Sequence, residues 1–217
     1  MMNSATAPVT DVVSAPSWQR VVRRSLHSAM QIATKRRMGV TFVVFTALIV
    51  SDVVLWQSRP CNVLNLLDWG TLAGEALVLM GLLIRSWAAG TLHKADEITT
   101  SGPYGMVRNP LYIGSFLMML GFSILLRDWL ATWIVLGPIL AMYLNKVRQE
   151  ERFLARIFPH DWKAYETATP RFVPQFTAWP SLAGFSLKQW SSNREYQAVL
   201  ASAVGLFAIW IWYAATA

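Results

Sequence analysis

TSGPYGMVRNPLYIG, residues 100–114, joins two apolar segments and is dense in residues that fix backbone shape. Gly102-Pro103 and Gly105 punctuate a turn. Pro110 falls where a following helix begins, a position at which its missing N–H costs nothing. Arg108 and Asn109 stand directly before it, so a cation and a capping-type amide meet the unpaired N–H groups of the first helical turn. A bend of this kind at the mouth of an apolar helix can hold a polar ligand against a membrane. It can equally be an ordinary tight connector, since the same residues build many plain turns.

The chain around it is unlike a soluble domain. Hydrophobic residues make up 54% of the 217 and charged residues 14%, with eleven tryptophans, outside the usual globular range. Long uncharged runs account for the excess, which makes this a polytopic membrane protein. The first apolar run follows residue 37, behind a polar leader, so no cleavable secretory signal is expected. Cys61 is the single cysteine, which excludes an internal disulfide and a thiolate metal cluster. His27, His93 and His160 are scattered, and no metal site is expected.

Two parts follow from the pattern: a basic leader, residues 1–37, and a transmembrane domain, residues 38–217. Residues 1–17 are small and polar, a composition expected to be disordered. From Trp18 to Arg37 the leader is basic, and Trp18, Val22, Leu26 and Met30 recur every fourth residue. That stripe suits a helix lying on an anionic membrane surface, although a leader that only fixes topology would read the same way. Five segments can span: Met38–Trp56, Trp69–Leu92, Pro110–Leu126, Trp129–Leu144 and Ala198–Ala217. The third and fourth are short and separated only by Arg127-Asp128, which predicts a tight antiparallel hairpin. Gly137-Pro138 is expected to kink the fourth. Trp56, Trp69 and Trp129 fall at segment ends, where interfacial anchors belong.

Lysine and arginine sort by side. With the N-terminus cytoplasmic, the leader, the 85–109 region and the 145–197 region face the cytoplasm and carry every cation except Arg59 and Arg127. This obeys the positive-inside rule, so the net charge of +7 is a topology signal and nucleic-acid binding need not be invoked. The C-terminus is then on the opposite side.

After the fourth span the pattern predicts a helix from Tyr143 to Phe158. At about 100° per residue, Leu144, Val147, Leu154, Ile157 and Phe158 share one arc, and Arg148, Arg152 and Arg156 gather opposite. Glu150 and Glu151 project from the apolar arc, where a carboxylate is costly without a partner. A bound sulfonium or ammonium would supply one; so would a structural ion pair to Arg108 or Arg171.

GPYGMVRNPLYIG resembles the G-P-Y-x-x-V-R-H-P-x-Y-x-G signature of the isoprenylcysteine carboxyl methyltransferase family, integral membrane enzymes that use S-adenosylmethionine. Phospholipid N-methyltransferases and some sterol reductases carry related versions. A second block, EERFLARIFPHDWKAYETATPRFVP, residues 150–174, is similar to the family's E-E-x-x-L…F-G-x-x-Y-x-x-Y…R-x-x-P tail, and the likeness covers roughly residues 70–174. The resemblance implies an all-α membrane fold with a cytoplasmic-facing cofactor pocket. It implies that Tyr104, Arg108, Asn109, Pro110 and Tyr112 line that pocket, with Glu150 and Glu151 closing it. Glu151 and Arg171 would be the residues acting in catalysis, Arg171 by holding an anionic substrate group, with a plain salt bridge as the alternative. The acceptor would be a lipid or lipophilic small molecule bearing a carboxylate or an amine. The family's histidine is Asn109 here, which cannot titrate near neutral pH.

Charges also lie inside the spans: Asp52, Glu75 and Arg85. Asp52 and Arg85 are near enough to segment ends to snorkel, and Glu75 has no evident partner. Arg85-Ser86-Trp87 resembles an R-x-W seen in the family, Tyr165 belongs to the second block, and His160 looks incidental. A soluble methyltransferase fold is not supported, because no Rossmann-type glycine motif occurs. The rival readings are a nicotinamide-dependent enzyme of the sterol-reductase type and a non-catalytic membrane protein.

Overall fold

The computed structural model describes residues 59–93, 97–175 and 184–216. The basic leader, the first expected span and Asp52 lie outside them. Among the described residues the chain is all helix: α1 (Trp69–Thr91), α2 (Pro110–Leu125), α3 (Trp129–Ile134), α4 (Leu140–Ile157), α5 (Pro159–Ala168), α6 (Leu187–Ser192) and α7 (Tyr196–Thr216). Among the described residues three helices are long and apolar enough to cross a membrane: α1, the continuous run Trp129–Ile157 and α7. The protein is an integral membrane protein. Helix α2 is apolar but has only 16 residues, about 24 Å of rise.

The core of the fold is the antiparallel pair α1 and α2, and four glycines set its spacing. A Cβ on Gly81 would lie 2.5 Å from the Gly114 carbonyl oxygen, and one on Gly121 2.6 Å from that of Gly74. The pairs recur seven residues apart on both helices, so the backbones touch along one seam. Close approach through small residues is how helices associate where lipid leaves no hydrophobic driving force.

The expected hairpin is present and its turn is well specified. Arg127 adopts a left-handed φ of 53°, and the Asp128 carboxylate caps α3 by accepting from the Ala131 N–H at 3.0 Å. Arg127 also donates to the Asp68 carboxylate at 3.2 Å, and Asp68 caps α1 by accepting from the Thr71 N–H at 3.1 Å. Trp69 and Trp129 begin their helices exposed, as interfacial anchors do.

The fourth span does not stop at Leu144. It runs on as one helix of 29 residues to Ile157, so the expected separate helix over 143–158 is its outer half. Pro138 is absorbed in a π turn, Val135–Ile139. A wider i→i+5 turn tolerates the missing N–H that would break an ordinary helix. The consequence is functional: a single rigid rod carries Glu150 and Glu151 from the bilayer to the site.

Helix α6 and the turn after it close the end of α1. The Asn193 amide donates to the Ala89 and Leu92 carbonyls at 2.7 and 3.1 Å, and Gln189 donates to Leu92 at 2.6 Å. These bonds satisfy carbonyls that the helix end leaves without partners. Glu195 then enters at the head of α7 and pairs with Arg85.

Candidate functional site

The 100–109 bend is a short 3₁₀ turn, Gly102–Gly105, entered through Gly102 at a φ of 58°. Only glycine adopts that backbone without cost, and a Cβ there would also press on Thr91 at 2.9 Å. The turn is therefore wedged against the end of α1. Its other side is stitched to the second motif block. The Arg108 N–H donates to the Pro170 carbonyl at 2.9 Å, and the Gln175 N–H to the Met106 carbonyl at 3.1 Å. The Tyr165 hydroxyl donates to the Tyr104 carbonyl at 2.8 Å. Burial pushes the Tyr165 hydroxyl pKa up, so that donor stays protonated.

Glu151 is the node at which the blocks meet. It is 6% exposed and, with Val147, one of the two buried residues of α4. One carboxylate oxygen accepts from the Asn109 amide at 3.1 Å and lies 3.7 Å from Arg108 Nη1. The other accepts from Arg171 Nε at 2.9 Å and Nη2 at 2.6 Å. In turn Glu151 holds the Arg171 guanidinium pKa above its ordinary value.

Asn109 occupies the N-cap position of α2 but makes no capping bond. Its amide instead donates to Glu151 and, at 3.3 Å, to the Arg171 carbonyl. The expectation of a capping amide is corrected: the NH₂ group is committed to joining the blocks, a task that requires two donors. Arg108 has its guanidinium 5.8 Å from the Trp162 ring centre and donates to Glu166 at 3.2 Å. The structural ion pair to Arg108 or Arg171, set beside a bound cation as the alternative for Glu150 and Glu151, is made by Glu151 with both arginines and by Glu150 with neither.

Glu150 diverges from its neighbour. It pairs with Lys146, one turn back on the same helix, at 3.3 Å. The Tyr112 ring meets Tyr143 edge-on at 5.5 Å. Tyr104 is 7% exposed, and its hydroxyl has no partner among the described residues; the same holds for Arg108 Nε and Trp87 Nε1. Burial pushes the Tyr104 pKa up, so the group is a neutral donor. Orphaned buried donors are rare in folded proteins and mark places where something else is held. Pro110 is buried at the first position of α2 and shapes this wall without polar contact.

Sequence reasoning missed Glu195. Its carboxylate, almost fully buried, takes Arg85 Nε at 2.8 Å and Nη2 at 2.9 Å, and Arg85 also donates to Ser115. Arg85 is therefore tied inside the helix group, where snorkelling was expected. A Cβ on Gly114 would sit 2.6 Å from Arg85 Cγ, so the last glycine of the first motif is the gap through which that side chain passes. The signal available was a lone carboxylate just before the final apolar run. Glu75 makes no hydrogen bond or ion pair among the described residues, and His160 is exposed on α5.

An all-helical membrane fold, with a helix-entry bend clasped to the outer half of a spanning helix, defines the class. The family model for phospholipid methyltransferase matches residues 69–161, and the chain belongs to this family of membrane methyltransferases acting on lipophilic acceptors. It is 31% identical over 179 residues to the cobalt-zinc-cadmium resistance protein CzcN of Cupriavidus metallidurans, covering 78% of this chain and 76% of that one. The nickel-cobalt-cadmium resistance protein NccN of Alcaligenes xylosoxydans xylosoxydans is 28% identical over 167 residues, 75% and 76% of the two chains. The protein-S-isoprenylcysteine O-methyltransferase of Schizosaccharomyces pombe is 26% identical over 103 residues, 48% and 44% of the two. No solved structure matches.

Proposed function

We propose that the methyl donor is S-adenosylmethionine, bound at the clasp between the 100–109 bend and α4, and that the acceptor is a membrane lipid or similar molecule reaching the site from the bilayer. The observation carrying this reading is the convergence of both motif blocks on Glu151, together with two buried donors of the bend, the Tyr104 hydroxyl and Arg108 Nε, that have no partner among the described residues. When bound, the cofactor supplies a methyl group on a sulfonium. The chain supplies the rest: Arg108, through its free Nε, and Tyr104, through its hydroxyl, offer hydrogen bonds to an anionic or polar part of the donor. Glu151 and Asn109 hold Arg108 and Arg171 in place. Alignment of this kind is most of what an in-line transfer asks of a protein.

Arg171 is 40% exposed at its side chain and completes the far side of the clasp, where it can meet an anionic group of either substrate. Asn109 cannot accept a proton near neutral pH, so no base acts from that position. The distribution of lysine and arginine supports a cytoplasmic position for the bend and the outer half of α4, with the C-terminus of α7 on the other side. Two relatives are named for metal resistance, and we place this chain in the same setting, acting on a membrane molecule.

The test is transfer of label from methyl-labelled S-adenosylmethionine into the lipid extract of membranes containing the protein. Incorporation that Arg108→Ala abolishes supports the reading. Incorporation equal to that of membranes without the protein overturns it.

A further inference from the structure

The outer half of α4 carries charge on two faces, and only one of them is balanced. Glu151 is paired with Arg108 and Arg171, and Glu150 with Lys146. On the other face Arg148, Arg152 and Arg156 recur every fourth residue, each exposed, with exposed Asn145 and Gln149 among them. Arg148 meets only the Asn145 amide oxygen, at 3.5 Å. Arg152 and Arg156 make no hydrogen bond or ion pair among the described residues. A face turned only to water usually mixes signs at i and i+4, because like charges at that spacing repel. Arg156 lies in the last turn of the helix, where a cation suits the helix dipole. Arg148 and Arg152 are too far from the end for that reason to apply.

Depth along the rod says what this face meets. The helix is continuous from Trp129, which is exposed at the end remote from the site. Arg148, Arg152 and Arg156 stand about 28, 34 and 40 Å from it at about 1.5 Å per residue. A bilayer has a hydrocarbon core of about 30 Å, and about 40–45 Å with both headgroup layers. The stripe therefore crosses the headgroup layer on the site's side, with Arg148 near its inner edge and Arg156 within a side chain's reach of its outer one. We propose that Arg148, Arg152 and Arg156 form a docking face for anionic phospholipid headgroups of that leaflet. Planar guanidinium forks take phosphate oxygens two at a time, and cations beside a spanning helix gather acidic lipid. The face is separate from the Glu151 clasp, so it does not depend on what the clasp binds. Its task is to hold the rod, and Glu151 with it, at the membrane surface.

The experiment is native mass spectrometry of the detergent-purified full chain offered equal amounts of dioleoylphosphatidylglycerol and dioleoylphosphatidylcholine. The wild type is expected to retain the anionic lipid about tenfold more. The triple variant Arg148→Gln, Arg152→Gln, Arg156→Gln cuts that preference at least about fivefold. A control triple at exposed cations elsewhere, Arg59→Gln, Lys163→Gln, Lys188→Gln, removes the same charge and changes the preference less than about twofold. Equal retention of the two lipids by the wild type overturns the proposal and gives the face to an acidic protein instead. A fall no larger in the α4 variant than in the control overturns it too, because bulk charge would then account for the preference. A check that needs no variant is phenylglyoxal modification of the wild type in nanodiscs of either lipid, mapped by peptide mass spectrometry. Arg148 and Arg152 are expected to react about fivefold more slowly in the anionic bilayer, and equal rates in the two bilayers contradict the docking.

Discussion

Glu151 on α4 and Arg171 beyond α5 are joined through one carboxylate oxygen, at 2.9 Å from Nε and 2.6 Å from Nη2. Because the other oxygen takes Asn109 and faces Arg108, one side chain fastens the two motif blocks. Glu151→Ala leaves the buried Arg108 without that partner, a loss of about 3 kcal/mol for a broken buried pair. Thermal unfolding in detergent is expected to show a clear drop, with Glu151→Gln falling between the variant and the wild type.

The glycine seam makes a paired prediction. Gly81→Val drives a side chain into the backbone at Gly114, whereas a Cβ on Gly137 meets nothing within 4 Å. Gly81→Val is expected to lower the yield of folded protein severely. Gly137→Ala is expected to be neutral or to stabilise by up to about 1 kcal/mol, the usual helix preference of alanine over glycine. Size-exclusion profiles of the two variants read this directly.

Arg85 and Glu195 tie α7 to the α1–α2 pair. Glu195→Leu strands an arginine inside the helix group and is expected to cost about 3 kcal/mol, while Arg85→Leu with Glu195→Leu recovers most of it. A double variant no more stable than the single one would mean that the pair contributes more than charge balance.

Tyr104 and Tyr165 both have pKa values raised by burial above the ordinary 10.0. The folded state therefore holds their protons after the unfolded chain has lost them. Their contribution is complete below about pH 10 and declines as pH rises from there through the folded values. Stability measured from pH 8 to 12 is expected to fall above about pH 10, and less steeply in Tyr104→Phe.

Much of this was legible because membrane proteins write their constraints in long runs. Apolar length, the Arg127-Asp128 break and flanking tryptophans located α1, α2, the hairpin and α7. The helical period of 143–158 placed Glu150 and Glu151 together on the apolar arc; the structure buries Glu151 and leaves Glu150 about a third exposed. What could not be read was long-range geometry. The continuation of the fourth span past Leu144 to Ile157 as one helix was not read; Gly137-Pro138 argues locally for a kink, and the structure takes Pro138 into a π turn. Glu195 pairs with Arg85 across 110 positions, a contact that no periodicity encodes. Asn109 looked like a cap because its position is a cap; its side chain is oriented instead by its NH₂ group, which donates to the Glu151 carboxylate and the Arg171 carbonyl.

The central claim is that Glu151 holds the two blocks together as a donor site. Calorimetric titration of S-adenosylmethionine into the purified full chain tests it, with Glu151→Gln beside the wild type. Saturable binding to the wild type, weakened at least about tenfold in the variant, is the result expected. Equal affinity of the two proteins, or no binding to the wild type, would contradict it.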